Sequence, residues 1–342
     1  MIDLRSDTVT KPTEAMRQAA YDAEVGDDVY EEDPTIHQLE HKAAELLGKE
    51  DALFVTSGTQ GNQIAVLTHC NRGDEAIMEA NSHIFMYEAA SVSALAGVQP
   101  RTLNGTRGAM DPSDVAAAIR PHDIHFPETG LICLENTHNR AGGALLPIEN
   151  MKTIYQIASE HHIPIHLDGA RLFNASISSG FPVQKYAELT DTVQVCLSKG
   201  LGAPVGSVIA GSEAFIARAR KWRKRLGGGL RQAGVLAAPG LVALTDMVNR
   251  LAEDQKHAEI LARELGKIDG VEIENEVETN IVLVNVKNLG YTSEQFLTML
   301  KENDILAAPF GPHTVRFVTH YGISRMNINS VIEHVAAVPQ TQ

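Results

Sequence analysis

From about residue 50 the chain alternates short apolar, β-rich runs with helical stretches, and that alternation restricts the choice of fold more than any other feature. "DALFVTSG" (51–58) reads as strand then turn, and "TQGNQIAVLTHC" (59–70) as a helix opened by a hydroxyl residue. Further strand candidates are "EAIMEA" (75–80), "LICLE" (131–135), "IPIHLD" (163–168), "VQVCLS" (193–198) and "SVIAG" (207–211). Helical patterns fall between most of them, among them "DPSDVAAAIR" (111–120) and "NMKTIYQIASEHH" (150–162). The expected fold class is therefore α/β, a mostly parallel sheet with helices on both faces. In such sheets ligands sit at the carboxyl ends of the strands, where Ser57, Asp168 and Lys199 all fall.

Past Leu241 the pattern changes. One long helix is expected over 241–265, then "GVEIENE", "TNIVLVNV", a helix near 293–303, "TVRFVTH" and a final helix, which together read as a smaller α+β domain. The expected organisation is an N-terminal arm over 1–20 that packs near the small domain, a large domain over 21–245 and the small domain over 246–342.

Composition removes several classes of function. A net charge of −14 argues against nucleic acid or an anionic membrane as the main partner. Cys70, Cys133 and Cys196 show no metal-ligand spacing and lie in or beside apolar segments, which suits a reduced intracellular protein with no metal site. "MIDLRSDTVTKP" has no apolar leader core, and no apolar run is long enough to span a bilayer, so the cytoplasm is the expected location.

Three pieces carry chemistry. "SGTQGN" (57–62) places small residues at a strand-to-helix turn, where free N–H groups and the helix dipole attract an anion. Alone, an ordinary N-cap beside a glycine turn explains it as well, and neither a nucleotide P-loop nor a Rossmann fingerprint is present. In "HLDGARLFNA" (166–175), Asp168 ends an apolar strand and Arg171 follows three residues later. That is either a structural Asp–Arg pair or a carboxylate facing a buried cationic heterocycle, such as a pyridinium nitrogen. In "VQVCLSKGLGAPVGSVIAG" (193–211), the lone ammonium of Lys199 follows a strand that should be buried. An unpaired buried charge is costly, so Lys199 needs a partner or a chemistry, and a lysine in a dry site can form a Schiff base. Phosphate turn, carboxylate and lysine, in that order on an α/β chain, fit pyridoxal 5'-phosphate (PLP).

At the level of whole blocks the chain resembles the low-specificity L-threonine aldolases, PLP enzymes of the aspartate aminotransferase fold type (fold type I). The resemblance runs almost end to end, through "LRSDTVTKP" (4–12), "EVGDDVYEEDPT" (24–35), "SGTQGNQ" (57–63), "SHIFMYE" (82–88), "DIHFPETGLICLENTHN" (123–139), "HLDGARLFNA", "LSKGLGAPVGS" (197–207), "GGGLRQAG" (227–234) and "VRFVTH" (315–320). Glu31 stands where the family usually has glycine, Leu230 replaces a usual methionine, and "HYG" (320–322) departs from the common form.

The resemblance implies a seven-stranded large-domain sheet and a set of roles. Lys199 would hold the cofactor covalently, Asp168 would pair with its ring nitrogen, and His83 would stack on the ring. Gly58 and Thr59 would hold the phosphate, with Lys224 and Arg231 reaching it from a neighbouring subunit, and Arg171 would also border the cofactor. Ser6, Arg171 and Arg316 would clamp the substrate carboxylate, and Tyr87 would line the substrate site. An arginine fork suits a carboxylate better than a lysine does, which supports the clamp independently. The one strongly basic run, "KWRKRLGGGLR" (221–231), reads as a solvated helix face or as a contribution to an anionic cofactor shared across an interface.

The implied reaction is retro-aldol cleavage of L-threonine, L-allo-threonine and related β-hydroxy-α-amino acids to glycine and an aldehyde such as acetaldehyde. Its base must lie within one hydrogen bond or one water of the hydroxyl. His83 is the first candidate and His125 the second, with Glu88 or a water left open. A PLP β-eliminating lyase, an amino-acid racemase or an aminotransferase would share the cofactor residues, and a non-catalytic regulatory protein would be expected to have lost Lys199 or Asp168. The family's shared active site implies a homo-oligomer, a tetramer with sites at a dimer interface.

Overall fold

The computed structural model describes residues 1–339. Its large domain is built on seven strands: β1 Asp51–Val55, β2 Glu75–Glu79, β3 Gln99–Leu103, β4 Thr129–Glu135, β5 Ile165–Asp168, β6 Thr192–Cys196 and β7 Ser207–Gly211. They lie in the order β1-β7-β6-β5-β4-β2-β3. β7 is antiparallel to both of its neighbours, and the other four pairings are parallel. β2, β5, β6 and β7 are buried along their whole length, as strands covered on both faces must be, which is why they read as continuous apolar runs.

β3 is the strand that the apolar-run criterion misses. "QPRTL" holds a proline and an arginine and has no buried residue, as the outer edge of a sheet allows. The expected single helix over 241–265 is also corrected. Two helices, Gly234–Asp246 and Leu251–Leu265, meet at a bend of 67°. No glycine or proline marks the break. Leu244, Met247 and Leu251 belong to the large-domain core, whereas Leu261 and Leu265 belong to the small-domain core, so the chain must turn between them. Among the described residues no single helix is long and apolar enough to cross a membrane.

The small C-terminal domain is a four-stranded antiparallel sheet, Glu272–Ile273, Ile281–Asn285, Thr314–Val318 and Ala308–Pro309 in spatial order, covered by helices that include Ser293–Glu302 and Arg325–Ala336. The arm begins by pairing Ile2–Asp3 in parallel with Ile305–Leu306, and Leu4 enters the small-domain core. Helix Glu14–Asp22 instead sends Met16 into the large-domain core.

Glu31 follows a short 3-10 turn, Asp28–Tyr30, with φ at 59°. An L-residue there carries roughly 1–2 kcal/mol of strain that glycine avoids, a physical reason for the glycine that the resemblance leads one to expect here. The ion pair of Glu31 with Arg220, at 3.7 Å and half exposed, offsets little of it. Glu31→Gly is therefore expected to raise stability by about 1 kcal/mol. Urea unfolding checks this, and a lower midpoint in the variant would count against the strain argument.

Candidate active site

Three neighbouring parallel strands bring polar residues into register, at the ends of β4 and β5 and in the middle of β6. Glu135 on β4 lies opposite Asp168 on β5, which lies opposite Gln194 on β6. Asp168 is buried and fully engaged. Its Oδ1 accepts from Gln194 Nε2 at 2.6 Å and from the Ala170 N–H at 3.0 Å, and its Oδ2 accepts from Asn62 Nδ2 at 2.8 Å. Burial pushes its pKa up, but the charges of His83 and Lys199 and the donors Asn62 and Gln194 outweigh burial and hold it below the ordinary carboxylate value.

Asn62 joins two carboxylates, because its Nδ2 also donates to Glu88 at 2.7 Å. What fixes the amide lies behind it. Asn62 Oδ1 is 3.0 Å from His166 Nε2, His166 Nδ1 is 3.0 Å from Thr192 Oγ1, and Thr192 Oγ1 is 3.1 Å from His69 Nε2. Burial depresses His166 to about 4 and His69 to about 3, so both are neutral. An amide oxygen only accepts, so His166 Nε2 carries the proton and Nδ1 accepts from the Thr192 hydroxyl, which in turn accepts from His69. Every donor in the chain therefore points towards the carboxylates.

Glu88 also accepts from Gln63 Nε2 at 2.7 Å and lies 3.0 Å from His83 Nδ1. Burial alone would lower the His83 pKa, but the Glu88 hydrogen bond and the charge of Asp168 raise it above the ordinary histidine value. The His83 backbone N–H donates to Glu135 Oε2 at 2.6 Å, so β4 sets the position of His83. His83, Glu88 and Asp168 offer ligand atoms within 4.8 Å of one another. The donors already on both carboxylates account for that cluster as a hydrogen-bonded network.

Lys199 follows β6 and is held through its backbone, whose carbonyl accepts from Thr10 Oγ1 at 2.9 Å. Helix Gly58–His69 starts beside it, with Ser57 as N-cap accepting from the Gln60 N–H. A Cβ on Gly58 would lie 2.9 Å from Cys196 Sγ, so only glycine lets this helix start approach the sheet. Ser57, Gly58, Thr59, Asn62, Asp168 and Lys199 line a cavity of about 180 Å³. A second cavity of about 320 Å³ shares Thr8, His83 and Lys199 with it and adds Ser6, Tyr87, Asn139, Arg171 and Arg316. The donor set suits PLP: an open helix start for a phosphate, an ionised buried carboxylate for a ring nitrogen and a lysine for the aldehyde carbon.

The single chain gathers Ser6, Gly58, Thr59, His83, Tyr87, Asp168, Arg171, Lys199 and Arg316 around these two cavities. Arg171 is buried, with Nε and Nη2 already donating to Asp7 at 2.7 and 2.8 Å, so most of its fork is taken. Arg316 donates to Asn139 Oδ1 and to the Arg5 carbonyl, and its Nε is buried without a partner. His125 is not brought to either cavity. It sits in an exposed turn with Nδ1 2.6 Å from Asp123 Oδ1. Lys224 and Arg231 also lie outside the cavities, and Arg231 pairs with Asp27 at 3.0 Å. Part of the basic run is structural, since Arg223 pairs with Asp28, as Arg220 just before the run pairs with Glu40.

Asp7, Asn62, Gln194, His166 and Thr192 carry this geometry and were not singled out from sequence. Asp7 and Asn62 lay inside conspicuous blocks, and His166 stands two residues before Asp168, hence on the same side of its strand.

A lysine, an ionised buried carboxylate and an open helix start around one cavity at strand carboxyl ends define a cofactor-dependent α/β enzyme. Residues 3–289 match the Beta-eliminating lyase family, and the chain belongs to that family of PLP-dependent lyases. The probable low-specificity L-threonine aldolase 2 of Arabidopsis thaliana is 48% identical over 337 residues, 97% of this chain and 95% of that protein. The low specificity L-threonine aldolase of Escherichia coli K12 is 42% identical over 339 residues, 98% of both. Leishmania major threonine aldolase shares the fold, with a TM-score of 0.84 at 22% identity over 98% of each chain.

Asn62→Leu removes donors from Asp168 and Glu88 together and is expected to lower stability by about 2–4 kcal/mol at pH 7. The native pKa of Asp168 lies below its unfolded value, so its contribution is present above the unfolded pKa and lost as pH falls through the native one. The deficit should therefore persist at pH 4 and shrink only below the unfolded value, towards about pH 3. Urea unfolding at all three pH values checks this, and an equal deficit throughout would exclude the electrostatic explanation.

Proposed function

We propose that the chain cleaves the Cα–Cβ bond of L-threonine, L-allo-threonine and related β-hydroxy-α-amino acids to glycine and an aldehyde, with PLP held at Lys199. The observation that carries this reading is the buried, ionised Asp168 facing the same cavity as Lys199. Bound there, PLP supplies a sink for the electron pair left on Cα when a bond to that carbon breaks.

The protein's own residues orient and protonate. Asp168 keeps a positive charge on the ring nitrogen favourable. The N–H groups at Gly58 and Thr59 would hold the phosphate. Arg316, with Ser6 beside it and the free edge of Arg171 behind, takes the substrate carboxylate and so fixes which bond on Cα stands ready to break. His83 has Nδ1 engaged by Glu88, which leaves Nε2 to accept the β-hydroxyl proton. Tyr87, tilted against His83 with ring centroids 5.6 Å apart, borders the substrate side.

Cavities that lack Lys224 and Arg231 support a homo-oligomer, a tetramer in which these residues complete the phosphate site of a neighbour. The net charge of −14 supports a cytoplasmic enzyme.

Purified protein supplied with PLP and L-threonine should release glycine and acetaldehyde, and Lys199→Ala should release neither. 2-Oxobutanoate with ammonia would place the chain among β-eliminating enzymes instead. His83 must be neutral to accept a proton, and its pKa is raised, so the rate should climb with pH through a value above the ordinary 6.5. Glu88→Gln removes the raising interaction and should move that limb to lower pH. A limb that stays in place would remove His83 from the role of base.

A further inference from the structure

Two guanidinium groups share one aromatic ring in the wall of the substrate cavity. Arg140 lies 4.0 Å and Arg316 5.7 Å from the centroid of Phe310. Arg140 donates to the Phe310 carbonyl at 3.3 Å, and Arg316 donates to the Asn139 side-chain oxygen and the Arg5 carbonyl, so the acceptors of both are neutral. Asp7, the carboxylate facing this region, is taken by Arg171. Arg140 and Phe310 also line the adjoining cleft of about 630 Å³. The acids there already have partners: Glu79 pairs with His138 and Glu276 with Arg107, both within the cleft, and Glu274 accepts from Asn285. Burial, and then the nearby charges of Arg171 and Arg140, hold Arg316 below the ordinary arginine range, so the pair repel each other as they stand.

One α-carboxylate neutralises one of these cations. We propose that Arg140 is the receptor for a second carboxylate, and that the site takes β-hydroxy-α-amino acids with an anionic group beyond the hydroxyl carbon. This rests on the aldolase reading above and names its substrate class. A guanidinium stacked on a ring keeps its edge free for a bidentate carboxylate, the geometry that separates Arg from Lys. For 3-hydroxyaspartate the step balances without a further reactant. The Cα–Cβ bond breaks and its electron pair stays with Cα. The hydroxyl proton leaves to the base as the C=O of glyoxylate forms, and a proton added at Cα completes glycine.

The test compares kcat/KM for L-threo-3-hydroxyaspartate and for L-threonine in the PLP-loaded wild type, Arg140→Gln and Arg140→Lys, with glyoxylate and acetaldehyde as products. The expected result is that the ratio of the two falls tenfold or more in Arg140→Gln and recovers in part in Arg140→Lys. Calorimetry supplies a readout apart from turnover: L-malate, with two carboxylates and no amine, should bind tenfold more weakly to Arg140→Gln than to wild type. An unchanged ratio, an unchanged malate affinity, or wild-type cleavage of L-threonine with no glyoxylate from hydroxyaspartate overturns the inference and leaves the aldolase standing. Failure to cleave either substrate overturns both.

Discussion

The geometry of the site depends on keeping one carboxylate charged where water cannot reach it. Asp168 sits at the end of a fully buried strand, and a bare carboxylate there would take up a proton. The charges of His83 and Lys199 prevent this, together with the hydrogen bonds that Asn62 and Gln194 donate to it. Asn62 can donate reliably only because neutral His166 occupies its oxygen, and His166 can present that proton only because Thr192 satisfies its other nitrogen. Apolar packing puts two histidines below the site, and burial keeps them uncharged, so the sheet core sets the protonation state at its surface.

The rest of the site is assembled from distant parts of the chain. Asp7 and Thr10 of the arm reach Arg171 and the Lys199 backbone, and Asn280 of the small domain donates to Asp7 at 3.2 Å. Arg316 crosses from the small-domain sheet to Asn139 beyond β4. The arm is thus held at both ends, by the strand at Ile2–Asp3 and by Met16 in the large core, with the residues that touch the site between them. An error in docking the small domain would move the carboxylate clamp relative to Lys199, which suggests why so many polar contacts cross that junction.

Much of this was legible in the sequence. Interior strands announce themselves because burial on both faces demands unbroken apolar runs, and Lys199 and Asp168 stand out as charges at the ends of such runs. β3 did not, because an edge strand needs only one protected face and tolerates Pro100 and Arg101. The break near residues 247–250 carries no local signal; two separate cores impose it. Asn62 and His166 were invisible for a different reason: polar residues with good helix or strand neighbours look the same whether they face solvent or a buried carboxylate. His125 shows the reverse, since a block resemblance drew attention to it and the single chain leaves it with Asp123 on the surface.

The central claim is that Asp168 stays ionised and charges the ring nitrogen of the cofactor. Nitrogen-15 NMR of PLP labelled in the ring and bound to the protein reads that directly. The account predicts the chemical shift of a protonated pyridine nitrogen at neutral pH, moving to that of the neutral base in Asp168→Asn. A neutral nitrogen in the wild type, or no change in the variant, would contradict it.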